Sequence, residues 1–190
     1  MEGKSRYGRY LSKNNANIAR LPLLKVLFPE AKFVIPVRNP WDHVASLQRQ
    51  HERFLKLHQQ DRYGRQYMEW LGHFEFGANL KPVDFANWRD EISLGPDDRD
   101  FWLTYWIKTF EQVLNQIGPN VLLVSYTRLC DAPRYTLEAL GRGLSVNEKL
   151  LGAQARMFRP PAHSEQGPDT GDLSARAGGI YEALLDKAIT

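Results

Sequence analysis

The segment KFVIPVRNP, residues 32–40, decides the fold of this chain. Its apolar run is short and rich in β-branched residues, which predicts a buried strand over residues 32–37. Asn39 suits the N-cap of a helix and Pro40 suits its first turn, so we expect a helix to begin directly after the strand. The chain therefore runs from strand to turn to helix, with Arg38 at the carboxyl end of the strand.

The sequence on both sides of this unit predicts further helices and one more strand. We expect the second strand over 121–126, and helices over 17–27 with a kink at Pro22, 39–58, 100–117, 133–140, 146–157 and 172–188. Residues 59–99 predict helical pieces joined by loops, and 159–171 a loop rich in proline and glycine. Alternating strands and helices indicate an α/β fold, a parallel sheet flanked by helices. Two strands are too few for a complete sheet, which indicates that an N-terminal strand is missing.

Composition favours one globular domain over residues 1–190, because 43% of the 190 residues are apolar and 12% are aromatic. The net charge of +3 permits anionic ligands and gives no reason to expect a nucleic-acid partner. Cys130 is the single cysteine, so an internal disulfide framework is excluded, and the sequence shows no metal-ligand spacing. No apolar run reaches the roughly 18 residues of a membrane span. We expect a cytoplasmic protein.

Arg38 and Ser46 form a candidate phosphate site. Ligands of parallel sheets bind at the carboxyl ends of strands, and the amides of a helix N-terminus favour anions. The guanidinium fork matches phosphate oxygens, and a hydroxyl donates one more hydrogen bond without adding charge. Ser46 lies roughly 10 Å along the helix, so the phosphate would lie beside the first turns. The alternative is an ordinary salt bridge at Arg38 and a helix-surface serine at position 46.

Three quoted segments carry a family resemblance: YLSKNN at 10–15, LPLLKVLFPEAKFVIPVRNP at 21–40 and VASL at 44–47. They resemble the sulfotransferase family, which reads lysine, helix, Phe-Pro-x-Ala, strand, Arg-Asn/Asp-Pro and Ala/Val-Ser, with its arginine and serine eight residues apart. DFW at 100–102 and VLLVSY at 121–126 continue the resemblance, which covers most of residues 10–145. It implies a partial sheet similar to that of P-loop NTPases.

The resemblance implies roles for four residues. In the family, the arginine and serine bind the 3′-phosphate of 3′-phosphoadenosine-5′-phosphosulfate, which implies that role for Arg38 and Ser46. A lysine about 25 residues before the arginine contacts the transferred sulfuryl group, and Lys13 stands at that distance. Arg159 falls in the region of a basic loop that contacts the 3′-phosphate, although a solvated loop fits equally well. The implied reaction moves a sulfuryl group to a hydroxyl acceptor, without a metal, and leaves the acceptor open among sugars, small alcohols or phenols, lipids and protein tyrosines.

Two departures from the family pattern open an alternative. The family's first strand and Gly/Ser/Thr-rich loop, which hold the 5′-phosphosulfate, should lie upstream, and Gly3-Lys4-Ser5 has only two residues before it. Asn15 stands where many members have a histidine base, and asparagine cannot accept a proton near neutral pH. We therefore expect the C-terminal portion of a longer domain, inactive as this chain. The alternative is a non-catalytic remnant that binds an adenosine 3′,5′-bisphosphate-like nucleotide or a protein partner.

The missing strand also predicts an exposed sheet edge beside residues 32–37 or 121–126, through which the chain could self-associate. Two other groups of residues are expected to be structural. His51 and His58 share a helix face, which favours packing over catalysis. Aromatic residues at helical spacing predict a core stripe rather than a base-stacking surface. The stripe consists of Trp102, Tyr105, Trp106 and Phe110.

Overall fold

The computed structural model of the chain describes residues 8–159 and 171–190. This part is mixed α/β and mostly helical, with a two-stranded parallel sheet. The strands are β1, Phe33–Val37, and β2, Val121–Ser125. The helices are α1 Leu21–Leu27, α2 Pro40–Gln60, α3 Arg62–Trp70, α4 Arg99–Asn115, α5 Tyr126–Asp131, α6 Pro133–Leu144, α7 Glu148–Gly152 and α8 Asp172–Leu185. Short 3₁₀ helices cover Asn15–Ile18, Gly77–Asn79, Phe85–Glu91 and Ala153–Met157.

The two predicted strands are confirmed and are direct neighbours. They pair in parallel from Phe33 opposite Val121 to Val37 opposite Ser125. On the far side of β2, the backbone N–H of Ile189 donates to the carbonyl of Leu123 at 2.9 Å. The carboxyl ends of both strands therefore meet at one edge of the sheet, which is where Arg38 follows β1.

Helix α2 begins where the sequence predicts. The Asn39 side chain accepts hydrogen bonds from the backbone N–H groups of Trp41 and Asp42, at 3.0 and 3.3 Å. Pro40 occupies the first helical position, where its missing N–H leaves no gap in the hydrogen-bond ladder. Val44, with no exposed surface, anchors the helix in the core. The local sequence thus fixes the helix directly behind Arg38.

The prediction of one kinked helix over 17–27 is wrong. The 3₁₀ helix Asn15–Ile18 ends first, and α1 begins separately at Leu21. Pro22 lies in the first turn of α1 instead of kinking a longer helix. The Asn14 side chain accepts from the N–H of Ala16, which starts the 3₁₀ helix early. Proline at a helix start and asparagine at a cap both favour new helix ends over a continuous helix.

Two other predicted elements have different boundaries in the structure. The helix predicted over 146–157 is divided into α7 and the 3₁₀ helix Ala153–Met157. The strand predicted to include Tyr126 ends at Ser125, whose hydroxyl accepts from the N–H of Arg128 and caps α5. A serine that can cap a helix therefore ends the strand one residue earlier than its apolar pattern suggests.

The aromatic stripe of α4 is core, as predicted. Trp102 has no exposed surface, and Trp106 and Phe110 are buried beside it, with their ring centroids 4.6 Å apart. Tyr105 is partly buried, and its hydroxyl accepts from the N–H of Val83 at 3.2 Å. Helices α2 and α8 both pack against α4 and also contact each other. These rings fill the interior instead of presenting stacking surfaces to a ligand.

One apolar surface of the described chain is uncovered beside β1. Val26 and Phe28, at and just after the end of α1, are 78% and 56% exposed, and Val34 in β1 is 40% exposed. Among the described residues, β2 is the one strand that pairs with β1. The expected exposed edge is therefore that of β1, and self-association through it stays a prediction.

Candidate functional site

Arg38 and Tyr126 are neighbours at the carboxyl edge of the sheet. Val37 pairs with Ser125 in the parallel register, so the next residue of each strand leaves the sheet at the same place. The guanidinium carbon of Arg38 lies 5.3 Å from the centroid of the Tyr126 ring. Stacking on an aromatic face orients a guanidinium and leaves its N–H edge free to donate. Tyr126 therefore orients Arg38 without occupying its hydrogen-bond donors.

Arg38 has no carboxylate partner among residues 8–159 and 171–190, so the ordinary salt bridge considered above is not formed there. Its Nε is buried and makes no hydrogen bond to the described residues. A buried donor without an acceptor destabilises a folded protein by roughly 1–3 kcal/mol. An anion that accepts from this group would remove that cost.

The N-terminus of α2 is already capped, which restricts where an anion can bind. Asn39 accepts from the first free amides, those of Trp41 and Asp42. A phosphate held by Arg38 must therefore lie beside the first turns of α2 rather than at the helix tip. The sequence spacing of Arg38 and Ser46 predicts the same position.

Ser46 lies in the second turn of α2 and is half-buried. It is turned roughly 200° around the helix from Val44, which faces the core. The hydroxyl is therefore not directed into the core, as a phosphate ligand requires. No hydrogen bond links Ser46 to Arg38, so a shared ligand stays a prediction.

Lys13 and Arg159 are not in contact with this pair. Both side chains are exposed, and neither makes a hydrogen bond or ion pair within the part of the chain that the structure describes. The segment before Lys13 is held at Arg9, which donates to the carbonyl oxygens of Leu144 and Ser145. Gly3-Lys4-Ser5 and nearly all of the loop predicted over 159–171 lie outside the described residues.

His43 is a further polar residue near Arg38. It lies in the first turns of α2, and its ring meets the Phe110 ring edge-on at a centroid distance of 6.3 Å. Burial, and then the positive charge of Arg38, lower the pKa of His43 to about 4. Its Nδ1 is buried without a partner among the described residues. His43 is therefore neutral at physiological pH and adds no positive charge to the site.

We expect His43 to make the fold sensitive to acid. Its pKa is near 6.5 in an unfolded chain and about 4 in the folded one, so the unfolded state binds the proton more tightly. The free energy of unfolding is then unaffected above pH 6.5 and falls as the pH is lowered toward 4. At pH 5 the loss from His43 is about 2 kcal/mol. Urea unfolding at pH 7.5 and at pH 5 measures this decrease in the free energy of unfolding.

His43→Leu is the matched variant, because it cannot titrate. The decrease in stability between pH 7.5 and pH 5 should be about 2 kcal/mol smaller in this variant than in the wild type. His51 and His58, whose pKa values burial also lowers, remain in both proteins and cancel in the comparison. An identical pH dependence in the two proteins would show that His43 is not the group responsible.

His51 and His58 are structural, as the sequence analysis favoured. Both side chains are buried, on the face of α2 that packs against the 3₁₀ helix Gly77–Asn79. Nδ1 of His51 accepts from the N–H of Gly77 at 3.1 Å, and Nδ1 of His58 accepts from that of Ala78 at 3.2 Å. The two imidazoles thus hold the 3₁₀ helix Gly77–Asn79 against α2.

The sequence analysis missed Tyr126 and His43 as neighbours of Arg38. A signal existed for Tyr126, because it ends the second predicted strand just as Arg38 follows the first. Parallel pairing of those strands places the two residues side by side. No sequence signal marks His43, whose burial depends on Phe110 of α4, a distant part of the chain.

Comparison with protein families identifies the N-terminal part of the chain. Residues 1–87 match the model of the Sulfotransferase family. The matched range contains Lys13, β1, Arg38 and Ser46. Over this range, which is a little less than half of the chain, the sequence is similar to the sulfotransferase family. The resemblance drawn from the quoted motifs is thereby confirmed over this range.

Similarity to curated proteins is weaker and partial. The chain is 29% identical over 139 residues to the DNA replication and repair protein RecF of three Pseudomonas aeruginosa strains. The alignment covers 70% of this chain and 34% of each relative, so the chain spans about a third of their length. No solved structure matches the chain.

Candidate metal-ligand clusters and membrane-spanning helices are both absent from the described residues. Nowhere in residues 8–159 and 171–190 do three or more His, Cys, Asp or Glu side chains lie where they could hold a metal ion. In the same residues, every helix is too short or too polar to cross a membrane.

Proposed function

We propose that Arg38 and Ser46 bind the 3′-phosphate of 3′-phosphoadenosine-5′-phosphosulfate. One observation carries the proposal: the Arg38 guanidinium lies at the carboxyl edge of the sheet with a buried Nε that has no acceptor among the described residues. A phosphate supplies oxygens to that Nε and to the outer nitrogens together, which a single carbonyl cannot do. The similarity of residues 1–87 to the sulfotransferase family supports the same donor.

The Arg38 surroundings favour a phosphate over a carboxylate partner. The guanidinium is stacked on Tyr126, so its donor edge has a fixed direction. His43 is neutral and adds no charge beside Arg38. Ser46 would add a neutral donor to a third phosphate oxygen, since it lies in the second turn of α2, the helix that begins just after Arg38.

The reaction proposed for the domain is sulfuryl transfer to a hydroxyl acceptor. The bond between sulfur and the 5′-phosphate oxygen breaks, a bond between sulfur and the acceptor oxygen forms, and adenosine 3′,5′-bisphosphate leaves. Arg38 would contribute by fixing the nucleotide, and Lys13 by stabilising the charge on the sulfuryl oxygens. The proton of the acceptor hydroxyl needs a base, and Asn15 cannot serve as one.

A second candidate function is nucleotide binding without transfer. It is favoured by the exposed position of Lys13, which makes no hydrogen bond or ion pair within the described residues. Both candidates require the 3′-phosphate contact at Arg38, so nucleotide binding tests what they share. A sulfuryl-transfer assay with the labelled donor then separates them.

The variant Ser46→Ala tests whether Ser46 and Arg38 bind the same phosphate. We expect it to weaken binding of adenosine 3′,5′-bisphosphate by roughly 3- to 10-fold, the value of one neutral hydrogen bond. Binding of adenosine 5′-phosphate should not change. In an Arg38→Ala background the effect of Ser46→Ala should shrink, because both residues address the same group. Isothermal calorimetry of the four proteins measures this.

Ser93→Ala, which truncates an exposed serine outside α2, is the control and should leave both affinities unchanged. If Ser46→Ala weakened the two nucleotides equally, or neither, Ser46 would not contact the 3′-phosphate.

A further inference from the structure

A groove of about 340 Å³ lies beside the second half of α2, whose His51 and Leu55 line it. This open groove is bordered by α2, by the 3₁₀ helices Gly77–Asn79 and Phe85–Glu91, and by Pro96, Asp97 and the first turn of α4. His51 lies 11 residues beyond Pro40, the first residue of α2, which is about 17 Å along the helix axis. The groove is therefore separate from the proposed phosphate site. Its apolar walls are Leu55, Leu80, Pro96 and Phe101, and its polar side chains are His51, Arg89 and Asp97.

Arg89 is a positioned cation in this groove. Its guanidinium carbon lies 5.6 Å from the ring centroid of Phe101 and 5.9 Å from that of Trp88. Within the described ranges, its side chain has no carboxylate partner and donates no hydrogen bond. A guanidinium held over aromatic faces keeps its N–H fork free for an anion.

The backbone that presents Arg89 is strained. Ala86 and Asn87 are consecutive residues in the left-handed region, with φ of 55° and 58°. Such conformations destabilise a residue other than glycine and persist where the surrounding structure enforces them, often at binding sites. Trp88 anchors the segment, because it is fully buried and its Nε1 donates to the carbonyl of Val83 at 2.9 Å. The buried Trp88 thus holds the neighbouring Arg89 at the groove wall.

His51 supplies a neutral donor to the groove. Its Nδ1 accepts from the N–H of Gly77, so the ring proton is on Nε2. In the described chain, the buried side-chain atoms without partners belong to Arg38, His43 and Trp106. Nε2 of His51 has no hydrogen-bond partner among the described residues, yet it is not one of these fully buried atoms. It therefore keeps some contact with solvent, and the His51 ring lines the groove.

We propose that the groove binds a small carboxylate with an apolar body and a hydroxyl group at its far end. Arg89 holds the carboxylate through its free fork. The hydroxyl donates to the Asp97 carboxylate and accepts from Nε2–H of His51, because both side chains line the groove. Phe101 and the other apolar walls cover the body of the ligand. A simple anion is disfavoured, because Asp97 repels it.

The test uses three matched probes: 4-hydroxyphenylacetate, 2-(4-hydroxyphenyl)ethanol without the carboxylate, and phenylacetate without the hydroxyl. Calorimetric titration of the full chain should show 4-hydroxyphenylacetate binding at least tenfold more tightly than either analogue. Arg89→Gln should remove the preference over 2-(4-hydroxyphenyl)ethanol. Asp97→Ala, at an exposed position, should remove the preference over phenylacetate.

Arg62→Gln, which neutralises another exposed arginine, is the control and should preserve both preferences. Arg38→Ala should also preserve them, so failure of the phosphate site and failure of the groove are distinguishable. Equal affinities for the three probes, or no saturable binding by the wild type at millimolar concentration, would overturn the proposal. If Arg89→Gln does not fold, as judged by near-ultraviolet circular dichroism, Asp97→Ala decides the outcome on its own.

Discussion

Replacing Arg38 with alanine is expected to weaken binding of adenosine 3′,5′-bisphosphate by roughly 10- to 150-fold. The estimate corresponds to a charge-assisted hydrogen bond of about 1.5–3 kcal/mol. Its basis is the guanidinium stacked on Tyr126, with a buried Nε lacking a partner among the described residues. Arg38→Lys should recover only part of the loss, because an ammonium keeps the charge but lacks the planar fork. Calorimetric titration gives the affinity of the wild type and of both Arg38 variants for the bisphosphate.

Arg53→Ala is the matched control, because it removes one exposed positive charge from α2, the helix that follows Arg38. Its affinity for the bisphosphate should stay close to that of the wild type. If Arg53→Ala and Arg38→Ala lowered the affinity equally, the nucleotide would be responding to net charge, and Arg38 would have no specific role.

The largest expected effect on stability is that of Gly77→Ala, at about 2–5 kcal/mol. Gly77 has a φ of +71°, where a Cβ costs roughly 1–2 kcal/mol. The new Cβ would also lie 2.7 Å from Nδ1 of His58 and 2.9 Å from Cβ of Phe54, and such overpacking costs about 1–3 kcal/mol. Urea unfolding gives the change in the free energy of unfolding.

Gly72→Ala separates the two causes. Gly72 has a similar φ of +75°, but a Cβ there would meet nothing within 4 Å. This variant should lose only the conformational part, roughly 1–2 kcal/mol. Equal losses at the two positions would show that the His58 and Phe54 contacts are not tight, and the packing of Gly77–Asn79 against α2 would need revision.

The strand, turn and helix around Arg38 could be predicted because their determinants are local. The β-branched run of β1 and the cap formed by Asn39 and Pro40 act within a few residues, and the structure has them as expected. The parallel pairing with β2 followed from the alternation of strands and helices. Boundaries were less predictable where a capping residue, such as Asn14 or Ser125, competes with the periodic pattern.

The site could be predicted only in part, because some of its contacts join distant segments. The position of Arg38 at the strand end followed from sequence order. The burial of His43 depends on Phe110, 67 residues further along. The groove around Arg89 depends on two consecutive left-handed residues, Ala86 and Asn87, which neither alanine nor the surrounding pattern predicts. Tertiary packing, which local sequence does not encode, fixes both.

The most direct test of the central claim is calorimetric titration of the wild-type chain and Arg38→Ala with two nucleotides. Adenosine 3′,5′-bisphosphate and adenosine 5′-phosphate differ by the 3′-phosphate alone, so their affinity ratio isolates the group that Arg38 is proposed to hold. We predict that the wild type prefers the bisphosphate by at least about tenfold and that Arg38→Ala loses this preference. Equal affinities in all four titrations would contradict the assignment of Arg38 to the 3′-phosphate.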